Sequence, residues 1–283
     1  MSIRTCLNPN RWAAHAVALA MLGGDADVGR ARLRPETIVG WNAYVAAVEG
    51  RRDREEADVG RFLRLDFLAS SVAERRAVVA GEVVVRRVPV NESGARGVDV
   101  PSGRVHHWRG AVFIPGPPVP ALLERIEQAD PPAIQQDVVS SSVIARAPGR
   151  VRVYLRLKRT KIVTVFYDTE HDVVFERRGS GRASSTSRAT RIVEVRKPGT
   201  PDERQLAPGD DRGFLWRLNA YWRYQAVPGG VIAECESISL SRDVPVLLEY
   251  VAGPLVEGTA KESMEQTLIA LKERFRARGD RRD

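Results

Sequence analysis

Cysteine is almost absent, with two in 283 residues, Cys6 and Cys235. Two such distant thiols make neither a disulfide framework nor a Cys-x-x-Cys redox or zinc motif. A lone cysteine in a strand, as Cys235 is expected to be, packs as a small apolar side chain. Lysine is scarce too: five residues, at 158, 161, 197, 261 and 272, so arginine supplies nearly all of the 44 basic side chains. The 36 acidic residues are interspersed along the chain. The formal charge of +8 is therefore scattered rather than gathered into a nucleic-acid patch, and no nucleic-acid partner is expected. The locally basic tail, Lys272 to Arg282, reads as a solvated helix end, where cations are favoured by the dipole. No apolar run reaches the roughly 18–20 residues that span a bilayer, so no transmembrane segment is expected. There is no Ser-His-Asp order, nucleotide fingerprint or His-Glu-x-x-His spacing. No cofactor and no metal are expected.

Residues 1–30 read as a leader. Arg4 and Arg11 precede a short apolar run, Trp12 to Leu22, and small residues follow. That order matches an export signal and points to a secreted or periplasmic location, although His15 interrupts the run. A frayed N-terminus in a cytoplasmic protein is the alternative. Residues 31–102 read as an N-terminal helix and β extension. Pro35-Glu36-Thr37 starts a helix, with Ile38, Trp41, Val45 and Val48 on one stripe and a solvated last turn at 51–56. Ala77 to Val88 reads as one or two strands.

From Gly103 the punctuation is that of a sheet. Arg104 to Ile114 is a strand, Val119 to Gln128 a short helix, and Asp137 to Arg146 a strand. Val151 to Lys158 alternates apolar and polar residues. Lys161 to Phe175 and Ala183 to Val195 add further strands. His171, with Asp168, Glu170 and Asp172, is expected in a turn. Gly213 to Arg242 is a long hairpin turning at Val227-Pro228-Gly229-Gly230. Its expected register puts Arg223 opposite Glu234, Tyr221 opposite Glu236, Asn219 opposite Ile238 and Arg217 opposite Leu240. The other face then carries Trp216, Leu218, Trp222 and Tyr224 against Ala233, Cys235 and Ser237. A short helical segment broken at Gly253-Pro254 leads to a last helix with Ala260, Met264, Leu268, Leu271 and Phe275 on one stripe.

The stretch GAVFIPGPPVPALLERIEQADPPAIQQDVVSSSVIAR at 110–146 and the closing PLVEGTAKESMEQTLIALKERF at 254–275 resemble the START-like helix-grip superfamily, with its SRPBCC, polyketide-cyclase-like and lipid-transfer-like members. The resemblance covers about 103–278 and leaves 279–283 as a basic tail. It implies an α+β fold in which a curved antiparallel β-sheet wraps around a long C-terminal α-helix, here with an N-terminal helical extension. It also implies an internal cavity for a hydrophobic small molecule or lipid. The expected cavity walls are Val153, Leu155, Trp216, Leu218, Trp222, Tyr224, Cys235, Met264, Leu268 and Leu271. His107, Arg217 and Glu234 are candidate polar anchors, and no catalytic residue is assigned. A binding or carrier protein is the expectation. The alternatives are a cyclase or hydratase-type enzyme on the same fold, which needs an ionisable group facing inward, and an interaction module using arginine-rich surfaces.

Overall fold

A computed structural model describes residues 32–128, 137–160, 164–207, 209–243 and 246–276, and for residues 246–257, 259 and 276 only the backbone. The leader and the basic tail lie outside the described residues. Helix α1 (Pro35–Glu56) starts as expected, with proline in its first turn and Glu36 beside it. A 3-10 turn (Arg64–Phe67), helix α2 (Ser71–Val79), strand β1 (Val84–Arg87) and the short α3 (Val90–Ser93) follow. The expected strand at Ala77 is thus the end of a helix. Gly81, at φ 99°, lies just past that end, in a conformation that glycine adopts without strain.

Strand β2 (Gly103–Pro115) and helix α4 (Val119–Gln128) lead into a run of antiparallel strands. These are β3 (Val138–Ala147), β4 (Arg150–Thr160), β5 (Thr164–Arg178), β6 (Arg182–Arg196), the short β7 (Arg204–Gln205), β8 (Arg217–Val227) and β9 (Gly230–Arg242). Helix α5 (Val246–Arg276) closes the described chain. It runs through Gly253-Pro254, where a break was expected; proline removes one helical hydrogen bond, and the backbone stays helical past it.

Among the described residues the strands form one nine-stranded sheet of order β1-β2-β9-β8-β6-β5-β4-β3, with β7 on β6. The β8–β9 register is the one expected: Arg223 pairs with Glu234, Tyr221 with Glu236, Asn219 with Ile238 and Arg217 with Leu240. Pro228-Gly229 closes this hairpin with Gly229 at φ 82°, the proline-then-glycine turn in which only the second position needs positive φ.

Side-chain alternation divides the sheet into two faces. The inner face carries α4 and α5. Val112, Ile114, Val231, Ala233, Cys235, Tyr224, Val151 and Phe175 pack there with Val119, Leu122 and Leu123 of α4 and Met264, Leu268 and Phe275 of α5. Among the described residues no helix is long and apolar enough to cross a membrane. The fold is an α+β helix-grip, an antiparallel sheet against a long C-terminal helix.

The outer face is covered by the N-terminal elements. Trp41, Tyr44 and Val48 of α1 pack on Tyr221, Ile238 and Leu240. Phe62, Leu63, Leu65 and Val78 pack on Val84, Ala111 and Ile232. The end of α1, expected to be solvated, buries Arg51, Arg52 and Glu55.

Candidate functional site

The inner face is read row by row from the strand register. One row runs Gly110, Cys235, Trp222, Ser185 and Phe175. The next runs Trp108, Ser237, Ala220, Ser187, Val173 and Val151. Beyond a bulge in the β5–β6 pairing lie His171 with Val153 and Val143, then Thr169 with Leu155 and Ser141. Large aromatic and branched side chains alternate there with Ser, Ala, Cys and Gly. Trp108, Trp222, Ala220, Ser237, Val153, Leu155 and Val173 are only half-buried although they lie within the sheet.

Most of the expected wall residues meet on this face. Trp222 and Tyr224 stack in parallel, 6.2 Å between ring centroids. Cys235, Met264 and Leu268 belong to the same buried cluster, with Val153, Trp222 and Leu271 packed at its margin. Leu218 pairs with Ser239, and both are half-buried. Leu155 lies further along the face, beside Val138, Leu157, Val165 and Tyr167. Trp216 is a correction. It precedes the first residue of β8, its indole N–H donates to Asp211 (3.1 Å), and it packs against Trp41 and Tyr44 on the outer side.

The three expected polar anchors are corrections as well, because strand alternation sends them to the outer face. His107 Nε2 lies 2.7 Å from Glu236 Oε1 and its Nδ1 lies 2.9 Å from the Tyr44 hydroxyl. Glu234 accepts the backbone N–H groups of Arg64 (2.5 Å) and Leu65 (2.9 Å). Arg217 donates to the Trp216 carbonyl (2.9 Å). Arg223, opposite Glu234, turns its guanidinium to Glu55 (2.9 Å) and Glu56 (3.1 Å) of α1 instead. Arg51 bridges Glu55 (2.8 Å) and Glu236, and Arg64 pairs with Glu55 (2.9 Å). Burial pushes the Glu236 carboxyl up, but the His107 bond and the Arg51 and Arg52 charges hold it well below the usual carboxylate range. Burial raises Glu234 despite Arg223 and the two amides. The cluster ties the N-terminal layer to the sheet.

Two histidines do face inward. His106 pairs with Ser239 on β9 and so shares a face with Trp108. His171, expected in a turn, sits within β5. Its acidic neighbours Asp168, Glu170 and Asp172 point away from it: Asp168 to Arg156 (2.8 Å) and Asp172 to Arg152 (2.8 Å). Burial pushes both imidazoles down to about 4, helped at His106 by Arg104 and Arg87. Period-two spacing from Val173 and Phe175 was the signal for His171, masked by the flanking acids. Glu194 is buried on the inner side beside Tyr167 and is taken up by the backbone N–H (3.0 Å) and guanidinium (2.8 Å) of Arg212. A cleft of about 570 Å³ lies between α4 and the β3–β4 turn, at the edge of the same face, lined by Glu124, Glu127, Arg146, Val151 and Arg177. Glu127 clasps Arg177 (2.5 Å) and the Gly149 amide (2.9 Å) there.

Among solved structures the chain is similar to the STAR-related lipid transfer protein of Xanthomonas axonopodis, at 17% identity over 68% of this chain and 98% of that one, with a TM-score of 0.44. It is similar to human STARD10, at 13% identity over 72% and 79%, TM-score 0.40. It is also similar to the Zhui aromatase/cyclase of a Streptomyces species, at 14% identity over 62% and 96%, TM-score 0.35. No family model matches the chain and no curated protein matches it. At these identities the likeness bears on the fold alone. Lipid transfer and cyclisation, in those names, belong to those proteins.

Proposed function

We propose that this chain binds an apolar or amphipathic small molecule on the inner face of the sheet, under α4 and α5, and acts as a carrier. The observation that carries the reading is the difference between the two faces. Tyr221, Arg223, Glu234 and Glu236 are sealed beneath the N-terminal layer, while Trp222, Ala220 and Ser237, on the opposite face of the same two strands, stay half-buried, as does Val153 of β4. Ligand sites are mostly apolar with a few oriented polar groups, and this face has that composition. Trp222, Tyr224, Cys235, Val153, Leu155, Leu218, Met264, Leu268 and Leu271 are its proposed walls.

The inward His171 is the specific observation that favours a cyclase or hydratase-type enzyme as the second reading. An imidazole pushed down to about 4 is a weak base at neutral pH, far from the matched value that general-base catalysis uses, so the carrier stands first.

Native mass spectrometry of the full chain from a heterologous host tests the carrier. The expected result is an adduct that is lost on denaturation, recovered in the organic extract, and weakened in Trp222→Ala. A clean apo mass, with no probe bound in solution either, would count against it.

A further inference from the structure

Each inward histidine is held by a hydroxyl whose own proton is already committed. Thr169 Oγ1 donates to the Leu155 carbonyl at 3.1 Å, and His171 Nε2 lies 3.0 Å from that same oxygen. A carbonyl can only accept, so the threonine proton goes to Leu155 and the oxygen accepts from the ring. His171 Nε2 is therefore the protonated nitrogen. Burial, which pushes this imidazole down to about 4, leaves the ring one proton at neutral pH, and Nδ1 is a bare acceptor. His106 repeats the arrangement. Ser241 Oγ donates to the Arg242 carbonyl at 3.1 Å and lies 3.0 Å from His106 Nε2. Neither Nδ1 has a hydrogen-bond partner among the described residues.

The two rings lie on strands β2 and β5, with β9, β8 and β6 between them. At about 4.8 Å per strand step they are at most roughly 19 Å apart along the sheet. The Tyr167 hydroxyl, further along the same face, is buried and also without a partner. Charged groups at the margins of the face are spent: Glu194 on Arg212, Arg159 on Asp137 and Arg177 on Glu127. Arg104, beside His106, is engaged too.

We infer that the ligand of the inner face is an uncharged amphiphile carrying hydroxyl groups on an apolar skeleton, and that Nδ1 of His171 and of His106 accept hydrogen bonds from those hydroxyls. This rests on the inner face being the ligand site. A hydroxyl supplies a donor to each bare nitrogen, and a ligand that covered the face without one would cut them off from water unpaired, which is costly. A carboxylate or phosphate has only acceptors to offer and would leave both bare nitrogens without a donor.

The test is fluorescence titration of the full, delipidated chain with hydroxypyrene, its methyl ether methoxypyrene, and pyrenebutyrate. Hydroxypyrene is expected to bind about tenfold tighter than the ether, which equals one hydrogen bond of this kind, and pyrenebutyrate most weakly. His171→Phe, of nearly the same shape, should shrink the gap between phenol and ether and leave the ether's affinity unchanged. Thr169→Val, which frees the ring to exchange tautomers, should shrink it in part. Failure of all three probes to bind would remove the inner-face site itself. Tighter binding of pyrenebutyrate, or equal binding of phenol and ether, would leave that site standing and overturn the ligand chemistry. NMR of the chain with labelled histidine nitrogens, which needs no variant, should find Nε2 protonated and Nδ1 bare in both rings. The opposite tautomer in both overturns the inference.

Discussion

Glu236 and His171 are both buried ionisable groups, and they respond to acid in different windows. His171 and His106 are neutral in the folded chain, with values near 4, against about 6.5 in an unfolded one. A depressed folded value means that the unfolded chain takes up the proton first. Stability is therefore full above about pH 6.5 and falls as pH drops toward 4, by up to about 1.4 kcal/mol per pH unit for each ring. Glu236 is held far below the usual carboxylate range by His107, Arg51 and Arg52. Its contribution is present above the unfolded value of about 4.3 and is lost on acidification beneath it. Urea unfolding across pH should show both declines. His171→Phe should reduce only the upper one, to the share that His106 keeps. Glu236→Gln should flatten only the lower one and cost on the order of 3 kcal/mol at neutral pH, because buried Arg51 and Arg52 each lose one of their charge partners. A profile level from pH 7 to 5 would contradict the buried neutral histidines.

At the scale of elements, the grip between α5 and the sheet depends on a missing side chain. A Cβ at Gly110 would stand 2.6 Å from Leu268 Cδ1, 3.0 Å from Val85 Cγ2 and 3.1 Å from the Val84 carbonyl. Leu268 is fully buried and has no free side to swing toward. Gly110→Ala is expected to push α5 outward and cost about 1–3 kcal/mol, as overpacking does. Leu268→Ala should cost about 2–5 kcal/mol through its cavity. The double variant should recover part of the loss, since the alanine methyl enters space that the leucine has left. Additive losses in thermal or urea unfolding would mean that the helix does not sit on Gly110. This contact was not legible in the sequence, because a glycine within a strand signals close approach without naming the partner. The β8–β9 register was legible, since Arg223 and Glu234 alternate cleanly with Trp222 and Cys235. Trp216 escaped because it lies just outside the regular strand, where Asp211 and α1 direct it. His171 escaped because acids on either side made a strand look like a turn, though they point to the other face.

At the scale of the molecule, one sheet serves two environments, and adjacent residues of β8 sample them. Arg223 points outward and is fully buried among Glu55, Glu56 and the Phe62 carbonyl. Trp222 points inward, stacks on Tyr224 and stays half-buried. The ionic outer layer consists of paired groups whose desolvation is costly, so removing one partner is worse than never having had the pair. The inner layer keeps apolar surface accessible, which adds little to folding and leaves free energy available to a ligand. Stability and binding are therefore expected to separate between neighbouring positions. Arg223→Ala should cost about 3–5 kcal/mol in urea unfolding and leave the affinity for a pyrene probe within about twofold, measured well below the unfolding midpoint. Trp222→Ala should cost less stability and lower probe affinity by about tenfold or more, the scale of losing one aromatic wall. The natural ligand should raise the thermal midpoint of the wild type and of Arg223→Ala, and barely move that of Trp222→Ala, since only the folded state binds it. If Trp222→Ala proved the more damaging change to stability while binding held, the inner face would be a closed core, and the ligand site would have to be sought elsewhere on the sheet.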